Sequence, residues 1–261
     1  MKATANKTGN DLKTLTEVRS RSDWPKWQEA MDCEIKTLED AGTWINIPRP
    51  TDKNIVGCKW VFRIKYKSDR TVKKYKARLV ACGFMQRFGI DYFDTYSPVT
   101  RLASIRTILA IAAHNDWEID TFDFNGAYLN SELNDNEQIY MEPPPGYGNQ
   151  GESVKFLLKS LYRLEQAGQK WYDMLVHTLA DEGFHVSNAD PGVFYAHDGD
   201  NITMLATHVD DCVITGTSKD LIADYKHRLD AVFSLTDLGG IYWLLGIKIM
   251  RDRQARTISL S

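Results

Sequence analysis

What this chain of 261 residues lacks narrows its class first. No apolar run approaches the roughly 18 residues of a membrane-spanning helix. The opening Met1-Lys2-Ala3-Thr4-Ala5-Asn6-Lys7 has no apolar core of the kind a signal peptide requires. The expectation is an intracellular, soluble protein with no membrane partner. Cysteine is scarce: Cys33, Cys58, Cys82 and Cys212 are scattered without a Cys-x-x-Cys pair, and the six histidines fall at no ligand spacing with them. Neither a zinc site nor a disulfide framework follows. There are no internal repeats. What remains, 43% hydrophobic and 26% charged, is ordinary for a globular protein able to bury a core, as one large domain or two small ones.

Charge of one sign is missing locally as well. Between residues 59 and 87 ten Lys or Arg stand against a single acid, Asp69; this is +9 in a chain of net charge −3, so the remainder carries −12. Residues 130–152 are the converse, with five acids, no Lys or Arg, and Pro143-Pro144-Pro145-Gly146, which reads as an exposed connection. A basic run is commonly a solvated face. Here Trp60, Phe62, Tyr66, Tyr75 and Phe84 are interleaved with the cations, a mixture that offers phosphate contacts and stacking surfaces together. Residues 61–66 alternate basic and apolar, and residues 72–80 do so more loosely after a turn at Ser68-Asp69-Arg70. A two-stranded hairpin follows, one face packed and the other presenting Lys and Arg.

The sharpest chemical signal is Thr207-His208-Val209-Asp210-Asp211-Cys212, two adjacent carboxylates inside an otherwise apolar stretch. Residues 202–206 and 213–216 have strand character, so a hairpin with the acidic pair at its tip is expected. Like charges at a tight turn are costly unless a cation sits there. A solvated Asp-Asp turn is the plainer alternative. Asp123 adds a third carboxylate, near the end of a strand marked by Trp117, Ile119, Phe122 and Phe124 and broken by Asn125-Gly126. If that strand lies beside the hairpin, the three acids suit two divalent ions about 3.5–4 Å apart. Oxygen donors of this kind favour Mg²⁺.

Around these stretches the pattern is mixed. Residues 1–23 read as a polar leader. Asp23 as cap and Pro25 in the first turn open a helix whose Trp24, Trp27, Met31, Ile35 and Leu38 recur at three- and four-residue spacing until Gly42. Residues 43–48 read as a short strand, 104–113 as a buried helix, 160–182 and 219–233 as amphipathic helices, and 241–249 as a strand containing Gly246. Without regular βαβ alternation, the expected class is α+β with helices on one face of an antiparallel sheet.

Trp60-Val61-Phe62, Tyr75-Lys76-Ala77-Arg78-Leu79-Val80-Ala81, Tyr96-Ser97-Pro98-Val99 and residues 123–130 lead a series of ordered motifs. Ile139-Tyr140-Met141, Leu161-Tyr162, Ala189-Asp190-Pro191, Val209-Asp210-Asp211 and Asp237-Leu238-Gly239 complete it. In this order they resemble the copia-type retrotransposon reverse transcriptases, from about Trp24 to the last residue. The resemblance implies a right-hand polymerase, with fingers and an antiparallel palm sheet in residues 24–261, ending before the thumb and ribonuclease H. It implies an RNA-directed DNA polymerase that works on an RNA or DNA template with primer and takes dNTP. Asp123, Asp210 and Asp211 would be its catalytic carboxylates and would hold two Mg²⁺ ions. Tyr128 is similar to the aromatic gate beneath the incoming sugar, and Lys76 and Arg78 to the clamp on the triphosphate. Residues 161–171, with Tyr162 and Gln166, resemble the segment that touches the nucleotide. Tyr242 to Gly246 resemble the hairpin gripping the primer end, through Trp243, Leu245 and Gly246.

The chain departs from the family pattern at several positions. Arg163 stands where glycine is usual, Glu165 where lysine is, Gly168 and Gln169 where proline and arginine are common, Cys82 where lysine often sits, and His208 in place of tyrosine. A second expectation therefore stands beside the polymerase: a catalytically decayed retroelement fragment that at most binds nucleic acid. A third, a two-metal nuclease or other phosphotransferase, would have no use for Tyr128 or the basic hairpin.

Overall fold

A computed structural model describes residues 14–66, 69, 71–148 and 151–261. In chain order its first elements are α1 (Leu15–Arg19), α2 (Trp24–Asp40), β1 (Trp44–Pro48), β2 (Ile55–Val56), β3 (Cys58–Tyr66) and β4 (Val72–Ala81). Then come α3 (Leu102–His114), β5 (Glu118–Phe124), β6 (Tyr140–Met141), β7 (Ser153–Leu157) and α4 (Ala167–Asp181). The strands β8 (His185–Val186), β9 (Val193–Asp198), β10 (Asn201–His208) and β11 (Asp211–Gly216) precede α5 (Lys219–Phe233). The chain closes with β12 (Leu235–Gly240), β13 (Trp243–Leu244), β14 (Ile247–Asp252) and β15 (Thr257–Leu260). These elements belong to two units: the chain up to Thr95 with Tyr128–Lys170, and Tyr96–Ala127 with Trp171–Ser261.

In the first unit the basic run folds as its alternation requires. β3 and β4 pair antiparallel, with Arg63 opposite Lys76, Lys65 opposite Lys74, and Phe62 opposite Ala77. Trp60, Phe62, Ala77 and Leu79 are buried. The fully buried Trp27 of α2 meets Phe62 and Tyr75 edge-on, at ring-centroid distances of 5.3 and 4.7 Å. Each such large side chain removed from water contributes about 1.5–3 kcal/mol, so the apolar face fixes the hairpin and leaves the cations outside. Beside it lies a four-stranded sheet of order β1-β7-β6-β2, in which only β2 and β6 run parallel.

Three expectations change in this unit. Residues 1–13 of the leader lie outside the described residues, as do Ser68 and Arg70 of the expected turn. The leader's second half instead forms α1, capped by the Thr14 hydroxyl, with Val18 fully buried. Asp23 does not cap α2 with its side chain, because its carboxylate accepts two bonds from Arg21 at 2.8 and 2.9 Å. Residues 130–152 are not a wholly exposed connection: β6 is inserted between β7 and β2, which buries Ile139 and Met141. The buried Glu137 is neutralised by Lys170 at 2.7 Å.

The second unit is built on a six-stranded antiparallel sheet of order β12-β5-β11-β10-β9-β8. Its central strands are apolar on both sides. Ile119, Val213 and Ala206 pack with Ile105, Ile108 and Leu109 of α3 and with Leu244 and Ile249. From the opposite pleat Phe124 meets Trp171 of α4 and Phe233 of α5, at 5.2 and 5.3 Å. Helices therefore cover both faces, not one, since two apolar faces both need cover. Lys226 of α5 reaches Asp120 at 2.6 Å and Asp237 at 2.8 Å, which ties the helix to β5 and β12.

Residues 241–249 are a hairpin rather than one strand. Leu244 pairs with Ile247 across the turn Leu245-Gly246, where φ is 48° and 81°. α4 begins at Ala167 instead of near residue 160, because Arg163 takes φ 69° and breaks the helical path. Among the described residues no helix is long and apolar enough to cross a membrane.

Candidate functional site

In the second unit the sheet register brings the acids together. Asp211 stands opposite Asp123 on β5 and opposite His208 on β10, and Thr236 of β12 stands opposite Asp123. Directly opposed residues share a face, so Thr236, Asp123, Asp211 and His208 form one row across four strands. Asp210 adjoins the row in the two-residue turn Val209-Asp210. Phe124 N–H donates to the Asp210 carbonyl at 3.0 Å, and the Trp171 indole N–H donates to the Val209 carbonyl at 3.0 Å.

The electrostatics of the row are one-sided. Burial first, then the charge of Asp210, pushes the Asp211 carboxyl above its ordinary range, with His208 acting the other way. The Cys212 thiol is fully buried and pushed up, first by burial and then by Asp211, Asp123 and Asp210. All three carboxylates thus act on one sulfur. Among the described residues no three His, Cys, Asp or Glu side chains are already gathered around a cation-sized point. What the strands supply is a set of hard oxygen donors sharing a row and its turn, and this donor chemistry fits Mg²⁺.

The first unit carries a cleft of about 550 Å³ lined by Arg63, Lys65, Lys76 and Arg78 from the hairpin and by Tyr128, Tyr162 and Arg163. Burial, then Arg78 and Lys65, lower the Lys76 ammonium below its ordinary range. The Arg78 guanidinium lies over the Tyr162 ring at 4.8 Å, and Tyr162 meets Tyr128 edge-on at 5.7 Å. The Arg78 Nε is buried without a hydrogen-bond partner. Five cations around one cleft, four of them on the hairpin, give it the electrostatics to attract a polyanion.

Four of the five residues expected at the nucleotide, Lys76, Arg78, Tyr128 and Tyr162, line this cleft. Gln166 does not. It is fully buried, accepts from Gln86 Nε2 at 2.9 Å and donates to the Asp91 carbonyl at 3.1 Å. A buried amide needs such partners, and here they hold the loop together. Arg163 is exposed, and its carbonyl would lie 2.2 Å from a Cβ added at Gly83. The close backbone approach in this loop therefore falls at Gly83.

Of the expected primer-grip residues, Trp243 is half-buried on β13, Leu245 packs partly against the α3 core, and Gly246 is exposed in the turn. Two residues inside the motifs make contacts for which the sequence gives no role. Asp190 is buried and accepts from Arg101 N–H, the Ser104 hydroxyl and Gly192 N–H. Burial opposes its ionisation, but these bonds hold its carboxyl below the usual range. The other is Trp171, the last residue of the segment expected to touch the nucleotide, whose indole N–H instead donates to the Val209 carbonyl. A buried indole N–H commonly needs an acceptor, and that was its one available signal.

Residues 41–261 match the family model described as reverse transcriptase (RNA-dependent DNA polymerase). The chain is 38% identical over 251 residues, 95% of its length, to the retrovirus-related Pol polyprotein from transposon TNT 1-94 of Nicotiana tabacum, of which it covers 19%. It is 37% identical over 250 residues, 94% of its length, to the retrovirus-related Pol polyprotein from transposon RE2 of Arabidopsis thaliana, of which it covers 17%. It thus spans about a fifth of the length of the curated relatives it matches. Among solved structures, an apo telomerase from Candida tropicalis has a TM-score of 0.42 and 10% identity over 90% of this chain and 60% of that one, too loose a likeness to argue from. Since the family model runs from just before β1 to the final residue, the chain belongs to the reverse transcriptase (RNA-dependent DNA polymerase) family.

Proposed function

We propose that the chain is the polymerising part of a copia-type retrotransposon reverse transcriptase, which adds deoxynucleotides to a primer 3′-hydroxyl on an RNA or DNA template. The observation that carries this reading is the row in which Asp123 stands opposite Asp211, with Asp210 in the adjoining turn, in a chain of this family. The second unit then serves as palm and the hairpin of the first as part of the fingers. Asp123, Asp210 and Asp211 would hold two Mg²⁺ ions, whose chemistry there would be to lower the pKa of a primer hydroxyl and to offset negative charge on phosphate oxygens. Lys76 and Arg78, with Arg63 and Lys65, take the triphosphate of the dNTP. Tyr162 keeps the Arg78 guanidinium flat, and Tyr128 lies beneath the sugar. The β13–β14 hairpin, through Trp243, Leu245 and Gly246, holds the primer end.

One observation favours the second reading, a decayed fragment that at most binds nucleic acid: Arg163 sits exposed at φ 69° on the loop that also exposes Glu165. Deoxynucleotide incorporation on a primed RNA template with Mg²⁺ separates the two. The polymerase reading expects incorporation by the chain and none by Asp210→Asn. A folded chain that binds primed template yet incorporates nothing would favour the remnant.

A further inference from the structure

The turn between β10 and β11 is strained, and its strain is held from outside. Val209 has φ 63°, a left-handed conformation that a β-branched side chain resists. It is the first of two turn residues, and Asp210 is not among the residues with positive φ. This is the type II′ arrangement, in which glycine is the usual first residue. A type I′ turn, with positive φ at both positions, is reached by flipping the peptide that joins the two residues. Asp tolerates the left-handed region better than most residues, so the flipped form is a genuine competitor. The carbonyl of that central peptide belongs to Val209.

That carbonyl accepts the Trp171 indole N–H at 3.0 Å. The indole is itself fixed: it is 2% exposed and stands edge-on to Phe124 at 5.2 Å and to Phe233 at 5.1 Å. The next carbonyl, that of Asp210, is held by Phe124 N–H at 3.0 Å. One aromatic cluster spanning β5, α4 and α5 therefore grips both carbonyls of the turn that carries the acidic pair.

We infer that Trp171 is a positioning residue: its indole N–H locks the Val209–Asp210 peptide in the strained orientation, and so sets the direction in which the Asp210 and Asp211 carboxylates leave the turn. The cause rests on the turn geometry alone. The consequence for metal binding rests on the polymerase reading.

Trp171→Phe keeps an aromatic ring against Phe124 and Phe233 but removes the donor. Loss of one such bond is expected to quicken amide exchange in residues 207–213 about tenfold. It is expected to weaken Mn²⁺ binding, read by electron paramagnetic resonance of the free ion, by a similar factor. In incorporation assays kcat falls and more Mg²⁺ is needed, while KM for dNTP stays unchanged. Adding Val209→Gly to Trp171→Phe places glycine at the first position of the turn, where the type II′ form rather than the flipped one prefers it, and should bring turn exchange and Mn²⁺ affinity back toward those of the parent. If Trp171→Phe only lowers the melting temperature, with turn exchange and Mn²⁺ affinity unmoved and no rescue by Val209→Gly, the residue merely packs and the inference is overturned. If the unmodified chain neither incorporates dNTP nor binds Mn²⁺, the polymerase reading fails. Exchange at the turn then still decides the clamp: faster in Trp171→Phe supports it, unchanged overturns it.

Discussion

The β3–β4 hairpin of the first unit and the β5–β11–β10 strands of the second are built alike and charged oppositely. Each packs aromatic residues on one face, Phe62 and the half-buried Tyr75 against Trp27 in one, Phe122 and Phe124 toward Trp171 and Phe233 in the other. Each opposes like charges on the other face, Arg63 to Lys76 and Lys65 to Lys74 in one, Asp123 to Asp211 in the other. Directly opposed like charges destabilise a sheet, while burial first, then Arg78 and Lys65 beside Lys76 and Asp210 beside Asp211, disfavours the charged form of one member of each face. The Lys76 ammonium is lowered and the Asp211 carboxyl raised, both toward the neutral form. Elsewhere the same chain neutralises its buried charges, as in Lys170 with Glu137 and Lys226 with Asp120 and Asp237. In both places the apolar residues of the same strands hold the like-charged pairs in register.

If the acidic row exists for metal, removing one member abolishes function without harming the fold. Asp123→Asn is expected to cut primer extension about a thousandfold, a loss of several kcal/mol of transition-state stabilisation. The melting temperature of the metal-free protein should change far less than the activity. A fall in melting temperature parallel to the activity would break the comparison and make Asp123 structural. The cationic face should respond through binding rather than turnover. Arg78→Ala removes the guanidinium stacked on Tyr162 and, at about 1.5–3 kcal/mol per charged hydrogen bond, should raise KM for dNTP about 10- to 100-fold with kcat nearly unchanged. Titration of dNTP in the incorporation assay reads the split.

Lys76 sharpens the same contrast through pH. Burial, then Arg78 and Lys65, lower its pKa in the folded state from the ordinary 10.5, so the fold disfavours the charged form. That penalty is fully present below the folded-state pKa and fades as pH rises toward 10.5. Without anion, Lys76→Met should therefore melt higher than the parent at pH 7, with the gap closing in strong alkali. Inorganic triphosphate should raise the melting temperature of the parent more than that of the variant. A variant that melts lower at pH 7 would mean that the lysine stabilises the empty hairpin.

The two hairpins were also what the sequence made most legible, because period-two alternation and a turn are local signals. Their cross-strand partners were legible only within each hairpin. That Asp123 lies opposite Asp211 depends on β5 docking beside β11, a pairing between distant segments with no local signature. Leu161 and Leu164 continue the apolar stripe of α4, so periodicity extended the helix to residue 160, and only the backbone at Arg163 shows where it fails. Gln166 had the right position in a motif, but its side chain turns into the loop because Gln86 and Asp91 offer partners there. α3 and α5 were both recognisable as helices, and nothing in an amphipathic pattern says which face of a sheet each will cover.

Arg163 carries the smallest expected effect and tests whether the like-charge tension extends beyond the hairpin. It lines the cationic cleft from a loop and holds φ 69°, which costs an L-residue about 1–2 kcal/mol relative to an unstrained conformation. Arg163→Gly should relieve part of that, about 1 kcal/mol, and raise the melting temperature by about 2–4 °C. Arg163→Ala removes the same charge but keeps the Cβ and the strain, so it should melt like the parent. Both should weaken inorganic triphosphate binding only about two- to fivefold, since an exposed charge contributes about 0–1 kcal/mol. A stability gain in both variants would locate the cost in charge instead of backbone. The like-charge repulsion of the β3–β4 hairpin would then extend to Arg163, and the whole lining of the cleft, rather than the hairpin alone, would be the surface that a polyanion relieves.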